Sequence, residues 1–126
     1  MPEYRLAIRV YIEDTDAGGI VYYVNYLKYF ERARTELIRS LGVDKTAVME
    51  DGSVFVVTSA AIDYHAPARL DDQLEAVAEV VNSGAATIEF RQSVVRSGIE
   101  LASGRVRVAL TDGTSGKPKR MPKGLR

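Results

Sequence analysis

The sequence predicts an α+β fold in which one long helix lies on a five-stranded antiparallel sheet, in the order β-α-β-β-β-β. Three observations predict it. Apolar residues recur every three or four positions in a single stretch, from about Tyr23 to Leu41. Five other stretches are rich in β-branched residues, several with apolar and polar residues alternating. The separators Asn82-Ser83-Gly84 and Ser97-Gly98 are short and read as hairpin turns, which join antiparallel neighbours. With 126 residues, no internal repeat and no dividing linker, residues 1–126 are expected to form one domain.

Residues 4–12 (YRLAIRVYI) read as the first strand, with Leu6, Ile8, Val10 and Ile12 on one side. Glu13 to Val21 is a loop, since two adjacent glycines and its acidic residues oppose regular structure. In the helix, Tyr23, Tyr26, Leu27, Phe30, Ala33, Leu37 and Leu41 form the apolar stripe, and Gly42 supplies a left-handed stop. Asp44 to Asp51 is a short helical or irregular connector. Residues 54–66 (VFVVTSAAIDYHA) are apolar on both faces in their first half, which predicts a central strand. Residues 73–82, 86–96 and 100–111 are the remaining strands. Glu75 and Glu79 alternate with apolar neighbours, as do Arg105 and Arg107, so one face of the sheet is dry and the other charged.

Composition narrows the function. There are 17 basic and 17 acidic residues, so the formal net charge is zero and no global field attracts nucleic acid. No cysteine is present, which removes disulfides, thiolate metal sites and a cysteine nucleophile. A single histidine leaves a His-rich metal site unavailable within one chain. The first ten residues contain no apolar run of signal-peptide length, and no stretch approaches the roughly 20 apolar residues of a transmembrane span. A soluble, cytoplasmic protein is expected.

The stretch that carries chemistry runs from Arg9 to Tyr26 (RVYIEDTDAGGIVYYVNY). It places the carboxylate of Asp16 a few residues ahead of the helix start. There, unpaired N–H groups and the positive end of the helix dipole suit an oxyanion developing from a carbonyl. A nearby carboxylate can attack that carbonyl or deprotonate a water. Gly18 and Gly19 put no side chain between the loop and a ligand.

These residues resemble a known family. The run T-D-x-x-G-I-V-x-x-V-x-Y, here Thr15, Asp16, Gly19, Ile20, Val21, Val24 and Tyr26, resembles the active-site signature of the 4-hydroxybenzoyl-CoA thioesterase family. Arg9-Val10 stands at the spacing that signature expects. The helix segment ERARTELIR (Glu31 to Arg39), the run DYHAPARLDD (Asp63 to Asp72) and the closing KPKRMPK resemble the Tol-Pal-associated acyl-CoA thioesterases within it. The resemblance implies a hotdog fold, a sheet wrapped around the long helix. It implies an acyl-CoA thioester hydrolase without metal or other cofactor, coenzyme A being part of the substrate. It implies a homodimer or homotetramer with active sites at the subunit interface. An acyl-carrier protein is a further partner to consider. The family's catalytic aspartate falls on Asp16, and its oxyanion donor, a backbone N–H, falls on Tyr23. Gly19 and Tyr23 become the substrate-binding positions. Many Tol-Pal-associated members carry histidine at the position of Tyr23, whereas the hydroxybenzoyl type carries tyrosine.

Plainer roles compete with these. Asp16 can cap the helix or brace a turn, as loop aspartates do. Asp14 reads as structural, and His65, on a strand beside Tyr64, as a satisfied structural histidine in preference to an acid/base partner. Tyr22, Tyr23, Tyr26 and Tyr29 are mainly packing residues, with one or two lining an acyl or aromatic pocket. Lys117, Lys119, Arg120, Lys123 and Arg126 form a basic tail, solvated or in contact with coenzyme A phosphates. Two other functions fit the same residues: a non-catalytic acyl-CoA-binding or envelope-associated module, and an enoyl-thioester hydratase. The hydratase wants a histidine beside the carboxylate, and this loop has none.

Overall fold

The computed structural model describes residues 2–44, 46 and 48–125. Its elements are β1 (Glu3–Arg9), α1 (Asn25–Ser40), β2 (Ser53–Tyr64), β3 (Gln73–Ser83), β4 (Thr87–Arg96) and β5 (Ile99–Asp112). All five strands join one antiparallel sheet in the order β1-β3-β4-β5-β2. The α+β class and the element order are therefore as the sequence predicts.

The sheet has a dry face and a charged one. On the dry side Leu74, Ala76, Ala78, Ile88, Phe90, Val94, Val106, Val108 and Leu110 are buried. There α1 packs against β1, β3 and β4, burying Tyr26, Tyr29, Phe30, Ala33, Leu37 and Ile38. On the other face Arg91 pairs with Glu79 at 2.6 Å, and Arg105 and Arg107 reach Glu89 at 3.5 and 3.8 Å. Such exposed pairs contribute only tenths of a kcal/mol to about 1 each, so they keep that face wetted more than they stabilise it.

Three expectations need correction, while the connector takes one of its two expected forms. The first strand ends at Arg9, because Ile12–Asp14 turn into a short 3-10 helix that leaves Ile12 75% exposed. The helix runs over Asn25–Ser40, and its buried stripe is rotated: Tyr23 and Leu27 are exposed, while Tyr29, Arg34 and Ile38 are buried. The rotation follows a polar anchor in the core. Arg34 Nη1 donates to Gln92 Oε1 at 2.9 Å, and Gln92 Nε2 donates to the Phe30 carbonyl at 2.8 Å. The strand expected at the centre, β2, is instead an edge. Val56 and Val57, on opposite faces, are about half exposed there, because no strand flanks their outer side and α1 packs on β1, β3 and β4. The Asp44–Asp51 connector is irregular where described, with Lys45 and Ala47 outside the described residues.

Of the two expected hairpin turns Ser97-Gly98 behaves as read, whereas Asn82 and Ser83 still pair within β3 and the other turn is made by Gly84–Thr87, where the Gly84 N–H donates to the Thr87 carbonyl at 2.8 Å. Ser97 and Gly98 both adopt positive φ, 51° and 80°, as a two-residue hairpin turn requires. Gly42, at φ 98°, ends α1 with its N–H on the Arg39 carbonyl at 3.1 Å.

Candidate active site

Between β1 and α1 the chain makes two successive turns. In the first, the Asp14 carboxylate accepts the Tyr11 N–H at 2.9 Å, and the Thr15 hydroxyl donates to the Ile12 carbonyl at 2.8 Å. The Asp14 carbonyl accepts the Tyr22 N–H at 2.9 Å and the Asn25 side-chain amide at 2.8 Å. Asp14 thus ties the strand exit to the helix entrance. In the second, Thr15 pairs with Val21 and the Asp16 N–H donates to the Ile20 carbonyl at 2.9 Å, which makes a small hairpin.

Asp16 and Gly19 stand at the exposed tip of this hairpin. Asp16 Oδ1 accepts the Gly18 N–H at 2.8 Å, a local turn that orients the carboxylate. Its other oxygen has no partner among the described residues. Gly19 has φ 78°, a backbone that an L side chain rarely adopts. The hairpin is held to the body by pairing of Ile20 with Arg69, and by the Val21 N–H on the Ala68 carbonyl at 2.8 Å.

Tyr23 sits at the entrance to α1. No side chain caps the helix, and among the described residues the Tyr23 and Val24 N–H groups have no acceptor. Unpaired amides at the positive end of a helix dipole are anion-binding groups. The Tyr22 carbonyl is held by the Asn25 N–H at 2.8 Å. The Tyr23 carbonyl accepts the Tyr64 hydroxyl at 3.0 Å and the Tyr26 N–H at a longer 3.4 Å.

Beside these amides lies a groove of about 300 Å³, lined by Ile20, Val21, Tyr23, Tyr26, Tyr64, His65, Ala66 and Pro67. Tyr64 stands edge-on to Tyr26 and Tyr23, with ring centroids 5.3 and 6.1 Å away. Burial, with Tyr23 and Tyr26 beside it, raises the Tyr64 phenol above the ordinary tyrosine value, so it stays protonated and able to donate. The Tyr26 hydroxyl accepts the Ala68 N–H at 3.0 Å, fixing the groove wall. His65 Nε2 lies 2.8 Å from Ser103 Oγ, the bond of a satisfied histidine. Tyr29 stays in the core. Burial, with Asp14 nearby, pushes its phenol up, and its hydroxyl has no partner among the described residues.

The structure therefore brings Tyr23, Tyr26 and Tyr64 together around one groove, whereas Asp16 and Gly19 stand at the tip of the hairpin and are not among the residues that line it. Sequence reading gave the segment from Tyr64 to Pro67 no part in the site. Its only signal was its place inside the DYHAPARLDD run. The described part of the basic tail, through Lys123, lies elsewhere, and Arg126 is outside the described residues. The tail's Met121 and Leu125 are buried, and Gly124 abuts the Leu41 carbonyl at the far end of α1. A 16-residue helix is about 24 Å long, so within one chain this tail is remote from Tyr23. Among the described residues no group of three His, Cys, Asp or Glu side chains is arranged to hold a metal, and no helix is long and apolar enough to cross a membrane.

Residues 10–126 match the model of the thioesterase-like superfamily. The chain belongs to that family. It is 39% identical to the acyl-CoA thioester hydrolase YbgC of Escherichia coli, over 97% of this chain and 92% of that one. It is 44% identical to the acyl-CoA thioesterase YbgC of Haemophilus influenzae, over 95% and 89% of the two chains. Among solved structures, the probable thioesterase of Bartonella henselae superposes with a TM-score of 0.86 at 32% identity, covering 96% of this chain and 98% of that one. The DHNA-CoA thioesterase of Staphylococcus aureus shares the fold at a TM-score of 0.88 and 23% identity, covering 95% and 81%. The architecture is the hotdog fold of these thioesterases.

Proposed function

We propose that this chain hydrolyses acyl-CoA thioesters, with Asp16 as the catalytic carboxylate and the Tyr23 N–H as the oxyanion donor. The observation that carries this reading is the uncapped start of α1, whose Tyr23 and Val24 N–H groups have no acceptor among the described residues, with an apolar groove lined by Tyr23 beside it. The relatives named above bear the same activity in their names.

The chemistry follows from the parts. The acyl chain enters the groove among Tyr23, Tyr26 and Tyr64, and the thioester carbonyl points at the helix start. Asp16 takes a proton from a water as that water's oxygen attacks the carbonyl carbon. The negative charge then developing on the carbonyl oxygen is met by the Tyr23 N–H. The tetrahedral centre collapses, the C–S bond breaks, and the coenzyme A thiolate leaves and is protonated. In the alternative route Asp16 attacks directly, forming a mixed anhydride that water cleaves. Gly19 lets the hairpin approach the thioester without a side chain intervening.

The site is completed by a second copy of the chain. Beyond the Val48–Val54 bridge, edge strand β2 has no strand neighbour on its outer side among the described residues and carries half-exposed Val56 and Val57, a surface suited to strand-to-strand pairing. Tyr64 ends that strand, so the groove opens where two subunits would meet. The active assembly is then a homodimer or homotetramer acting in the cytoplasm, with acyl groups delivered on coenzyme A or on an acyl-carrier protein.

The test is hydrolysis of acetyl-, butyryl-, palmitoyl- and 4-hydroxybenzoyl-CoA by wild type and Asp16→Asn. Turnover of at least one thioester is expected, with kcat/KM about 100-fold or more lower in the variant, the range for removing a general base. Wild-type activity in Asp16→Asn would overturn the assignment of Asp16.

A further inference from the structure

We propose that Tyr64 is a positioning residue for this hydrolysis, clamping the Tyr23–Val24 peptide at the entrance of α1 so that the Val24 N–H serves the substrate oxygen as a second donor beside the Tyr23 N–H. The inference rests on the oxyanion reading of Tyr23 given above. The two peptide planes that flank Tyr23 are held from different sides. The plane carrying the Tyr23 N–H is fixed at its carbonyl end by the Asn25 N–H on the Tyr22 oxygen, at 2.8 Å. The plane carrying the Val24 N–H is fixed through the Tyr23 oxygen, where the helix itself supplies only the 3.4 Å contact from Tyr26. The stronger bond there comes from outside the helix, 41 residues along the chain, in the 3.0 Å donation from the Tyr64 hydroxyl.

That bond has two consequences. It prevents the helix start from fraying where no side chain caps it. It also withdraws electron density through the Tyr23–Val24 peptide, which makes the Val24 N–H a better donor to an anion. Because Tyr64 is the last residue of the edge strand, the oxyanion donors are tied to the part of the sheet that α1 leaves uncovered.

The experiment compares wild type, Tyr64→Phe, Asp16→Asn and Tyr11→Phe in the full-length chain. The ring contacts of residue 64 survive in phenylalanine and only the hydroxyl is lost. Tyr11 is an exposed control at 64%. Kinetics use whichever of the four thioesters wild type turns over fastest, and ¹⁵N-labelled protein reports the Tyr23 and Val24 amides. Expected for Tyr64→Phe is a kcat about threefold to tenfold lower, the worth of one hydrogen bond, with KM within about twofold. The Val24 amide should shift upfield and exchange faster with solvent, while Tyr11→Phe matches wild type in every respect. An unchanged kcat together with unmoved amides would overturn the positioning role while leaving Asp16→Asn to judge the hydrolytic reading. An equal loss in kcat and in melting temperature, with unmoved amides, would overturn it in favour of a merely structural tyrosine. A loss in Tyr64→Phe beside full activity in Asp16→Asn would keep Tyr64 and discard Asp16. Absence of turnover by wild type would overturn both.

Discussion

Replacing Gln92 with leucine should destabilise the protein more than its conservative volume suggests, because it strands a charge. Arg34 lies on the buried stripe of α1 at 9% exposure, and Gln92 faces it from β4 at 1%. Burial pushes the Arg34 guanidinium below its ordinary value, with Glu31 opposing, and among the described residues no carboxylate forms a salt bridge to it. Leucine removes two bonds at once: Arg34 Nη1 to Gln92 Oε1, and Gln92 Nε2 to the Phe30 carbonyl. A bond to a charged group is worth about 1.5–3 kcal/mol and a neutral one about 0.5–1.5, so the sum is roughly 2–4.5 kcal/mol. At about 2.1 cal/mol/K per residue, 126 residues have an unfolding entropy near 0.26 kcal/mol/K, which converts that loss to a Tm roughly 8–17 °C lower. The assay is thermal unfolding by circular dichroism at one fixed chain concentration, since assembly alters apparent stability. The double variant Arg34→Met with Gln92→Leu should recover most of the loss, because no buried charge then remains without a partner. A Gln92→Leu protein melting within about 2 °C of wild type, or a double variant no better than the single one, would refute the reasoning.

Two other perturbations test the frame around the site. A methyl group at Gly104 would stand 2.2 Å from the Ala61 carbonyl oxygen of β2, so Gly104→Ala forces β2 away from β5. The expected cost is about 1–3 kcal/mol in thermal stability, with a lower kcat as Tyr64 moves with its strand. Asp72 gives a pH signature. Burial pushes its carboxyl up, but the Arg69 N–H and the Arg96 guanidinium at 2.6 Å outweigh that and leave it below the ordinary aspartate value. A depressed folded-state value contributes stability above the unfolded aspartate's pKa of about 3.9, which is lost as the pH falls through the lower folded value. Melting curves should therefore place Asp72→Asn below wild type at pH 7, with the gap closing below about pH 4. A gap unchanged at acid pH would exclude the ionised Asp72 as its source.

Much of the fold was legible locally. The stretch around α1 has a helical apolar period, Gly42 can take the left-handed stop, and Ser97-Gly98 can take the positive φ values of a tight hairpin. Each is a property of a few consecutive residues. The hairpin carrying Asp16 was legible only as a loop, since its bracing depends on Asp14, Ala68 and Arg69 meeting across the chain. The apolar run of β2 misled because apolar residues on both faces suit a strand between two neighbours and equally an edge awaiting a second chain. Arg34 misled in the opposite sense. A cation in a helix reads as solvent-facing until Gln92, 58 residues away, is seen to receive it.

By itself, then, the sequence determined the elements, the alternation that makes one sheet face dry, and the positions of Asp16 and Tyr23 on either side of the turn into α1. Only the tertiary structure decided which strand lies at the edge, which way α1 is rotated, and that Tyr64 closes over the helix entrance. The division has a physical cause. Backbone propensity and side-chain period act over a few residues, whereas a buried cation, a free sheet edge and a hydrogen bond between residues 23 and 64 exist only after distant segments have packed.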